Sequence, residues 1–126
     1  MAIEIRLKRI YEQPSADDGL RLFADRLWAR GITKEKSRID IWAKELTPST
    51  ALRKWFHADE SRFPEFAIRY TKELDQRRVE IDSLLRSLPP HNVLTLVTAS
   101  KKLEEGHLSV LRAFLSRRHL KPRGRP

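Results

Sequence analysis

The sequence predicts one small α/β domain with a mixed or parallel sheet flanked by helices in a three-layer-like arrangement. Residues 93–98, Val-Leu-Thr-Leu-Val-Thr, form a short β-branched run without charge, which is typical of a central strand covered on both faces. The run lies between two stretches with helical apolar spacing, and this order is typical of a sheet with helices packed against it. A chain of 126 residues buries a single core.

The N-terminal half is predicted to supply the other strands. Residues 3–8 alternate apolar and charged side chains, as a half-buried strand does. Residues 14–19 have the composition of a turn, and residues 20–28 are the second strand candidate. Thr33 is a candidate cap for a short helical turn, and residues 39–42 form either a short strand or an extended loop.

The remainder is predicted to contain three helices. Thr47 at the N-cap and Pro48 at the first helical position suit the start of the first helix, with Ser49 as a rival cap. A long helix is expected over residues 64–88, because its apolar residues form one stripe and a Pro-Pro pair ends it. The last helix is expected from about residue 104 to 118.

Composition excludes several functional classes. The chain has no cysteine, which excludes disulfides, thiol nucleophiles and cysteine metal sites. Its four histidines lack the spacing of a metal site, and no nucleotide-binding or hydrolase motif occurs, so we expect no metal and no cofactor. No apolar run approaches the ~20 residues that span a bilayer, and the N-terminus lacks a signal core. We therefore expect a cytoplasmic protein with no membrane partner.

The net charge of +9 is concentrated near the C-terminus. The last ten residues contain five basic residues and no acid, which divides the chain into an α/β domain, 1–116, and a basic flexible tail, 117–126. The tail is either a solubilising end or a nonspecific contact to nucleic acid through phosphate neutralisation. The residues of the second interpretation are Arg117, Arg118, Lys121, Arg123 and Arg125.

Residues 25–31 are the first segment that suggests a binding site. Asp25, Arg26, Trp28 and Arg30 lie at the predicted carboxyl end of a strand, which is the edge where open α/β sheets bind ligands. The two guanidinium groups offer planar forks for carboxylate or phosphate. The alternative is an Asp–Arg pair that fixes the turn, with the tryptophan in the core.

Residues 42–49 are the second such segment. They lead into a predicted helix N-terminus, where free N–H groups and the helix dipole favour an anion, and Lys44, Ser49 and Arg53 would add charge and hydrogen bonds. The alternative is ordinary capping with surface charge. His107, on the apolar stripe of the last helix, is either a ligand-facing acid/base or a satisfied core histidine.

Taken in order, these segments resemble the YeaO-like branch of the domain-of-unknown-function 488 family. The resemblance is carried by residues 25–31, 42–49, 52–56, 69–74 and the helix that contains His107. It covers about residues 5–116 and implies a compact bacterial α/β domain with no established activity. The chain departs from the family's usual pattern at Ala29, Lys102 and Gly106.

The sequence leaves three functions open, and it leaves open whether any reaction is catalysed. The preferred one is binding or processing of a small anionic ligand, bearing phosphate or carboxylate, in one cleft. In that cleft Asp25 or His107 would move a proton, and the anion would be held by Arg26, Arg30, Lys44, Ser49 and Arg53. The alternatives are a nucleic-acid-binding module and a non-enzymatic interaction protein, either monomeric or homodimeric.

Overall fold

The computed structural model describes residues 3–118 and contains a four-stranded sheet whose neighbouring strands are all parallel. The strands are β1 (Glu4–Arg9), β2 (Leu20–Phe23), β3 (Ile41–Trp42) and β4 (Val93–Thr98), in the order β1-β4-β2-β3. The helices are α1 (Lys34–Ser37), α2 (Thr50–Ala58), α3 (Phe63–Gln76), α4 (Arg78–Ser87) and α5 (His107–Arg117). The predicted α/β class is confirmed, with a parallel sheet.

Strand β4 is the central strand that its composition predicts. It pairs with β1 along all six of its residues and with β2 through Leu94 to Val97. Leu94, Leu96 and Val97 are fully buried. A strand covered on both faces needs no charged side chain, and this accounts for its nearly continuous apolar run.

The two faces of the sheet carry different cores. On one face Leu22, Leu94 and Leu96 pack in the main core with side chains from α2, α3, α4 and α5. On the other face Phe23 and Val97 pack in a smaller core, largely against the connection between β2 and β3. The residues that complete this smaller core include Ile10, Trp28, Ala29, Ile32 and Trp42.

Strand β2 is shorter than predicted, because it ends at Phe23 and not at residue 28. Trp28 lies in the following connection, where its ring is 4.9 Å from that of Phe23 and 5.4 Å from that of Trp42. Its indole N–H donates to the carbonyl of Ile32 at 2.8 Å. The apolar residues after Phe23 therefore serve the smaller core and do not extend the strand.

Two helix boundaries near residue 50 and residue 77 also differ from the prediction. Ser49, not Thr47, caps α2, because the Thr47 hydroxyl already donates to the carbonyl of Lys44. The long helix predicted over residues 64–88 is divided into α3 and α4 at Arg77. There the Arg77 backbone N–H donates to the carbonyl of Leu74, three residues earlier, as in a 3₁₀ turn. The Arg77 guanidinium donates to the carbonyls of Glu45 and Thr47, outside the helix.

The last helix begins at His107, three residues after the predicted start at residue 104. Gly106 is its N-cap, and a Cβ at that position would lie 2.5 Å from the Lys102 carbonyl oxygen. The loop before α5 therefore folds back tightly on itself. Thr33 caps α1 as predicted. Within residues 3–118, no helix has both the length and the apolar character that a bilayer crossing requires.

Candidate functional site

A cleft opens at the carboxyl ends of β2 and β4, two neighbouring strands in the centre of the sheet. The segment after β2 covers the face that holds Phe23, whereas α5, after β4, packs on the opposite face. Where the segments that follow two adjacent parallel strands pass to opposite faces of the sheet, a crevice forms that typically binds ligands. The volume of this cleft is about 310 Å³, near the lower limit of roughly 300–1,000 Å³ for small-molecule sites.

Three parts of the chain line the cleft. Residues 24–27 follow β2, and residues 98–107 connect β4 to α5 and include its first residue. The third part is one face of α2, because Arg53, Phe56 and His57 are spaced by three and four residues. The remaining lining residues lie just before α2, after it, and on α3.

Asp25 joins β2, β4 and α5 at this edge of the sheet. One carboxylate oxygen accepts hydrogen bonds from the Thr98 hydroxyl at 2.6 Å and from His107 Nε2 at 3.0 Å. The other accepts the Ala99 backbone N–H at 2.9 Å. Burial raises the pKa of the Asp25 carboxyl, but these bonds to its charged form outweigh burial and hold the pKa below its ordinary value.

His107 is fixed by the same contacts. Its Nε2 lies 2.8 Å from the carbonyl oxygen of Ala24 as well as beside the Asp25 carboxylate. Both neighbours are acceptors, so Nε2 carries the proton. Among residues 3–118, no hydroxyl is hydrogen-bonded to the other ring nitrogen.

Arg26 and Arg53 are the unsatisfied groups of the cleft. The Nε of each is buried and has no hydrogen-bond partner in the part of the chain described. Arg26 makes one bond, from Nη2 to the Pro48 carbonyl at 3.3 Å, and within residues 3–118 neither guanidinium has an acidic oxygen within 4.0 Å. A buried donor without a partner costs about 1–3 kcal/mol, so both groups favour an added acceptor.

Two of the three acidic side chains of the cleft are bonded to other residues of its lining. The formal charges of Asp, Glu, Lys and Arg in the lining balance, with three of each sign: Asp25, Glu60, Glu105, Arg26, Arg53 and Lys102. Asp25 is held by the bonds given above, and Glu60 accepts from Lys102 at 2.8 Å. That bond lowers the pKa of the Glu60 carboxyl. Within residues 3–118, the charges left without an ion pair in the cleft are those of Arg26, Arg53 and the exposed Glu105, so the unpaired charge is positive overall.

Three predicted anion ligands, Arg30, Lys44 and Ser49, do not line this cleft. Arg30 is exposed, and its carbonyl accepts the Tyr11 hydroxyl. The Lys44 ammonium lies 4.2 Å from the centre of the Trp42 ring. The cleft thus brings together Asp25, Arg26, Arg53 and His107 of the predicted site residues.

Ser49 lies at a helix N-terminus that the protein fills with its own carboxylate. Glu73 of α3 accepts the Ser49 backbone N–H at 2.8 Å and its hydroxyl at 2.6 Å. Because Glu73 lies four residues after Arg69, the sequence suggests a helical ion pair between these two residues. In the structure Arg69 instead pairs with Glu65 at 3.0 Å. The anion-favouring end of α2 is therefore already occupied.

The basic residues proposed for nucleic acid are only partly described. Arg117 ends α5, and Arg118 forms an ion pair with Asp82 of α4. Lys121, Arg123 and Arg125 lie outside the described residues. Nucleic-acid binding by this end stays a prediction. Within residues 3–118, no group of three His, Asp or Glu side chains is arranged to hold a metal ion.

Comparisons with known proteins place this chain among uncharacterized relatives. A family model described as the inactive DUF488-N3 subclade matches residues 4–124. An uncharacterized protein of Mycobacterium tuberculosis is 40% identical over 114 residues, which are 90% of this chain and 95% of that protein. The uncharacterized protein YeaO of Escherichia coli is 38% identical over 113 residues, 90% of this chain and 97% of its own length. No solved structure matches the chain significantly.

Proposed function

We propose that this chain, which belongs to the DUF488 family, binds a small anionic ligand in the cleft. Because its subclade is described as inactive, we propose binding without transformation of the ligand. The anion is a carboxylate or a phosphate. Arg26 and Arg53 are its principal ligands, and the Asp25–His107 pair holds the surrounding backbone in position.

The two arginines without ion pairs carry this proposal. A guanidinium group presents several N–H donors in a rigid plane that matches the oxygens of carboxylate and phosphate. In most proteins a partly buried arginine is neutralised by a nearby acid, yet these two are not, within residues 3–118. Because both arginines line one cleft, an anion from solution bound there would offset their positive charge.

The start of α5 supports the same conclusion. Gly106 and His107 line the cleft, and the first N–H groups of a helix lack helical partners. Their partial positive charge adds to that of the arginines. Unlike the start of α2, this helix end receives no side-chain cap.

Binding is favoured over catalysis by the condition of Asp25 and His107. Asp25 has a lowered pKa and accepts bonds on both oxygens, so it is a poor proton donor and has little capacity left as a base. His107 is tied to acceptors through Nε2 and meets no hydroxyl nucleophile in the described chain. We therefore assign the pair a positioning role.

Calorimetric titration with inorganic phosphate and with acetate, at constant ionic strength, tests the proposal. Arg26→Gln and Arg53→Gln should each weaken binding about 10- to 100-fold, since a hydrogen bond to a charged group contributes about 1.5–3 kcal/mol. Arg69→Gln, on the exposed surface and outside the cleft, is the matched control and should bind as the wild type does. Equal losses in all three variants, or no binding by the wild type, would overturn the proposal.

A further inference from the structure

We infer that the ligand is an organic anion with a compact apolar body, for example an aromatic carboxylate or phosphate monoester, and not an inorganic ion. This inference rests on the proposed function, because it assumes that Arg26 and Arg53 hold the anionic group. It adds the chemical nature of the remainder of the ligand.

The size of the cleft is the first argument. Its volume of about 310 Å³ corresponds to roughly ten times the ≈ 30 Å³ that one water molecule occupies in the liquid. A phosphate or sulfate ion has five non-hydrogen atoms and fills only part of that space. The remaining volume has to be filled by water or by the body of a larger ligand.

The walls of the cleft are the second argument. Phe56 and Phe66 both line it, with rings stacked at 4.3 Å and an angle of 17° between their planes. Phe56, which is 4% exposed, is three residues from Arg53 on the same face of α2, so the accessible edge of an aromatic ring adjoins a guanidinium. Further apolar contributions come from Ala24, Leu27, Pro48 and Ala99. Water is held poorly against such surfaces, and an apolar group displaces it favourably.

Leu27 is the third argument. Its side chain is 67% exposed although it lines the cleft beside Arg26, whereas the other leucines of the described chain are more deeply buried. A single exposed leucine on a convex surface needs no explanation. At the opening of a cleft with phenylalanine in its wall, it extends the apolar surface outward to where a bound ligand would cover it.

The charge balance limits the ligand to one anionic group. Glu60 and Glu105 share the lining with the two arginines, and a polyanion would place further negative charge near these carboxylates. Like charges at short distance are repelled, so a chain of phosphates fits poorly. A monoester or a monocarboxylate satisfies both arginines without this repulsion.

A comparison of the affinities of matched probes tests the inference. Phenyl phosphate is compared with inorganic phosphate, and benzoate with acetate, by calorimetry at fixed pH and ionic strength. We expect each aromatic probe to bind at least about tenfold tighter than its small counterpart, an advantage that burial of two methylene equivalents would already supply. Leu27→Ser should reduce that advantage about threefold or more and leave inorganic phosphate binding unchanged.

Ile68→Ser is the matched control, because Ile68 is also an exposed apolar residue, 54% exposed, but lies on α3 outside the cleft. It should alter neither class of probe. If inorganic and phenyl phosphate bind equally and Arg53→Gln abolishes both, the proposed anion site stands and this inference is wrong. If no probe binds the wild type, the proposed function is wrong and this inference falls with it.

Discussion

Two regions of this protein differ in whether an acid neutralises their arginine side chains. In the first, which we call the Asp18 cluster (Lys8, Asp18 and Arg21), Arg21 is 3% exposed and its Nη1 lies 2.7 Å from the Asp18 carboxylate. Lys8 reaches the same carboxylate at 3.0 Å. In the second, the cleft, Arg26 and Arg53 have no acidic partner among residues 3–118.

The two regions differ in whether the arginine charge is neutralised, and not in whether one nitrogen lacks a hydrogen-bond partner. Arg21 also has one buried nitrogen without a partner, Nη2, yet its charge is neutralised by Asp18 and its Nε donates to the Ser37 carbonyl. The fold therefore accounts for the positive charge of Arg21. It gives no comparable reason for a positive charge at residue 26 or 53, and such charges are expected where a ligand supplies the partner.

The largest effect on stability is expected in the Asp18 cluster. Asp18→Asn keeps the shape of the side chain but leaves the buried Arg21 charge uncompensated, and breaking a buried pair in this way costs about 3–5 kcal/mol. Urea unfolding followed by tryptophan fluorescence measures the loss. A change below about 1 kcal/mol would mean that the two arginine groups do not differ as we state.

An intermediate effect is expected at Asp25. Asp25→Asn turns an amide donor toward groups that already donate to the carboxylate, and loss of bonds to a charged acceptor costs about 1.5–3 kcal/mol at pH 7. The pKa of this carboxyl in the folded state lies below its ordinary value of 3.8, because the bonds to its charged form outweigh burial. Its stabilisation is therefore present above pH 3.8 and is lost as the pH falls through the lower folded pKa.

The pH dependence separates Asp25 from the other acids. The difference in unfolding free energy between wild type and Asp25→Asn should be largest near pH 7. It should shrink below about pH 3.8, where the carboxyl of the unfolded wild-type chain becomes protonated, and be lost below the lower pKa of the folded state. Urea titrations at pH 7, 5 and 3 measure this difference. A difference that stays constant across this range would contradict the bonding described for Asp25.

The smallest effect on stability is expected at Arg53. No side-chain hydrogen bond of this residue exists within the described chain, and its positive charge lies in the same cleft as that of Arg26. Arg53→Gln should thus change the unfolding free energy by no more than about 0.5 kcal/mol, or raise it. A decrease in unfolding free energy of about 2 kcal/mol or more would identify Arg53 as a structural residue. That result would contradict the distinction between Arg53 and Arg21.

Local sequence patterns predicted the elements of the sheet better than the contents of the cleft. The uncharged run of β4 and the alternation of β1 depend on burial of each strand's faces, which nearby residues reveal. The placement of Asp25 and Arg26 at the carboxyl edge of β2 follows from the general position of ligands in parallel sheets. These inferences need only short segments of sequence.

Sequence patterns are least informative where one segment depends on a distant one. Ser49 looks like an anion ligand until Glu73, 24 residues later, is known to accept its N–H and hydroxyl. The division of the long helix at Arg77 accompanies bonds to carbonyls at residues 45 and 47, which no periodicity reports. Phe66 falls within the apolar stripe predicted over residues 64–88, and its place in the cleft wall depends on how α3 packs against α2.

The most direct test of the anion site is NMR observation of the arginine Nε–Hε groups during titration with inorganic phosphate and phenyl phosphate. The signals of Arg26 and Arg53, assigned from their glutamine variants, should shift in proportion to occupancy, because an anion bound to a guanidinium group changes the electrostatic environment of its Nε–Hε. The signal of Arg21 should stay in place, since its Nε already donates to Ser37 at 3.0 Å. Binding that leaves the signals of Arg26 and Arg53 unmoved, or that moves exposed arginines such as Arg69 equally, would contradict an anion site in the cleft.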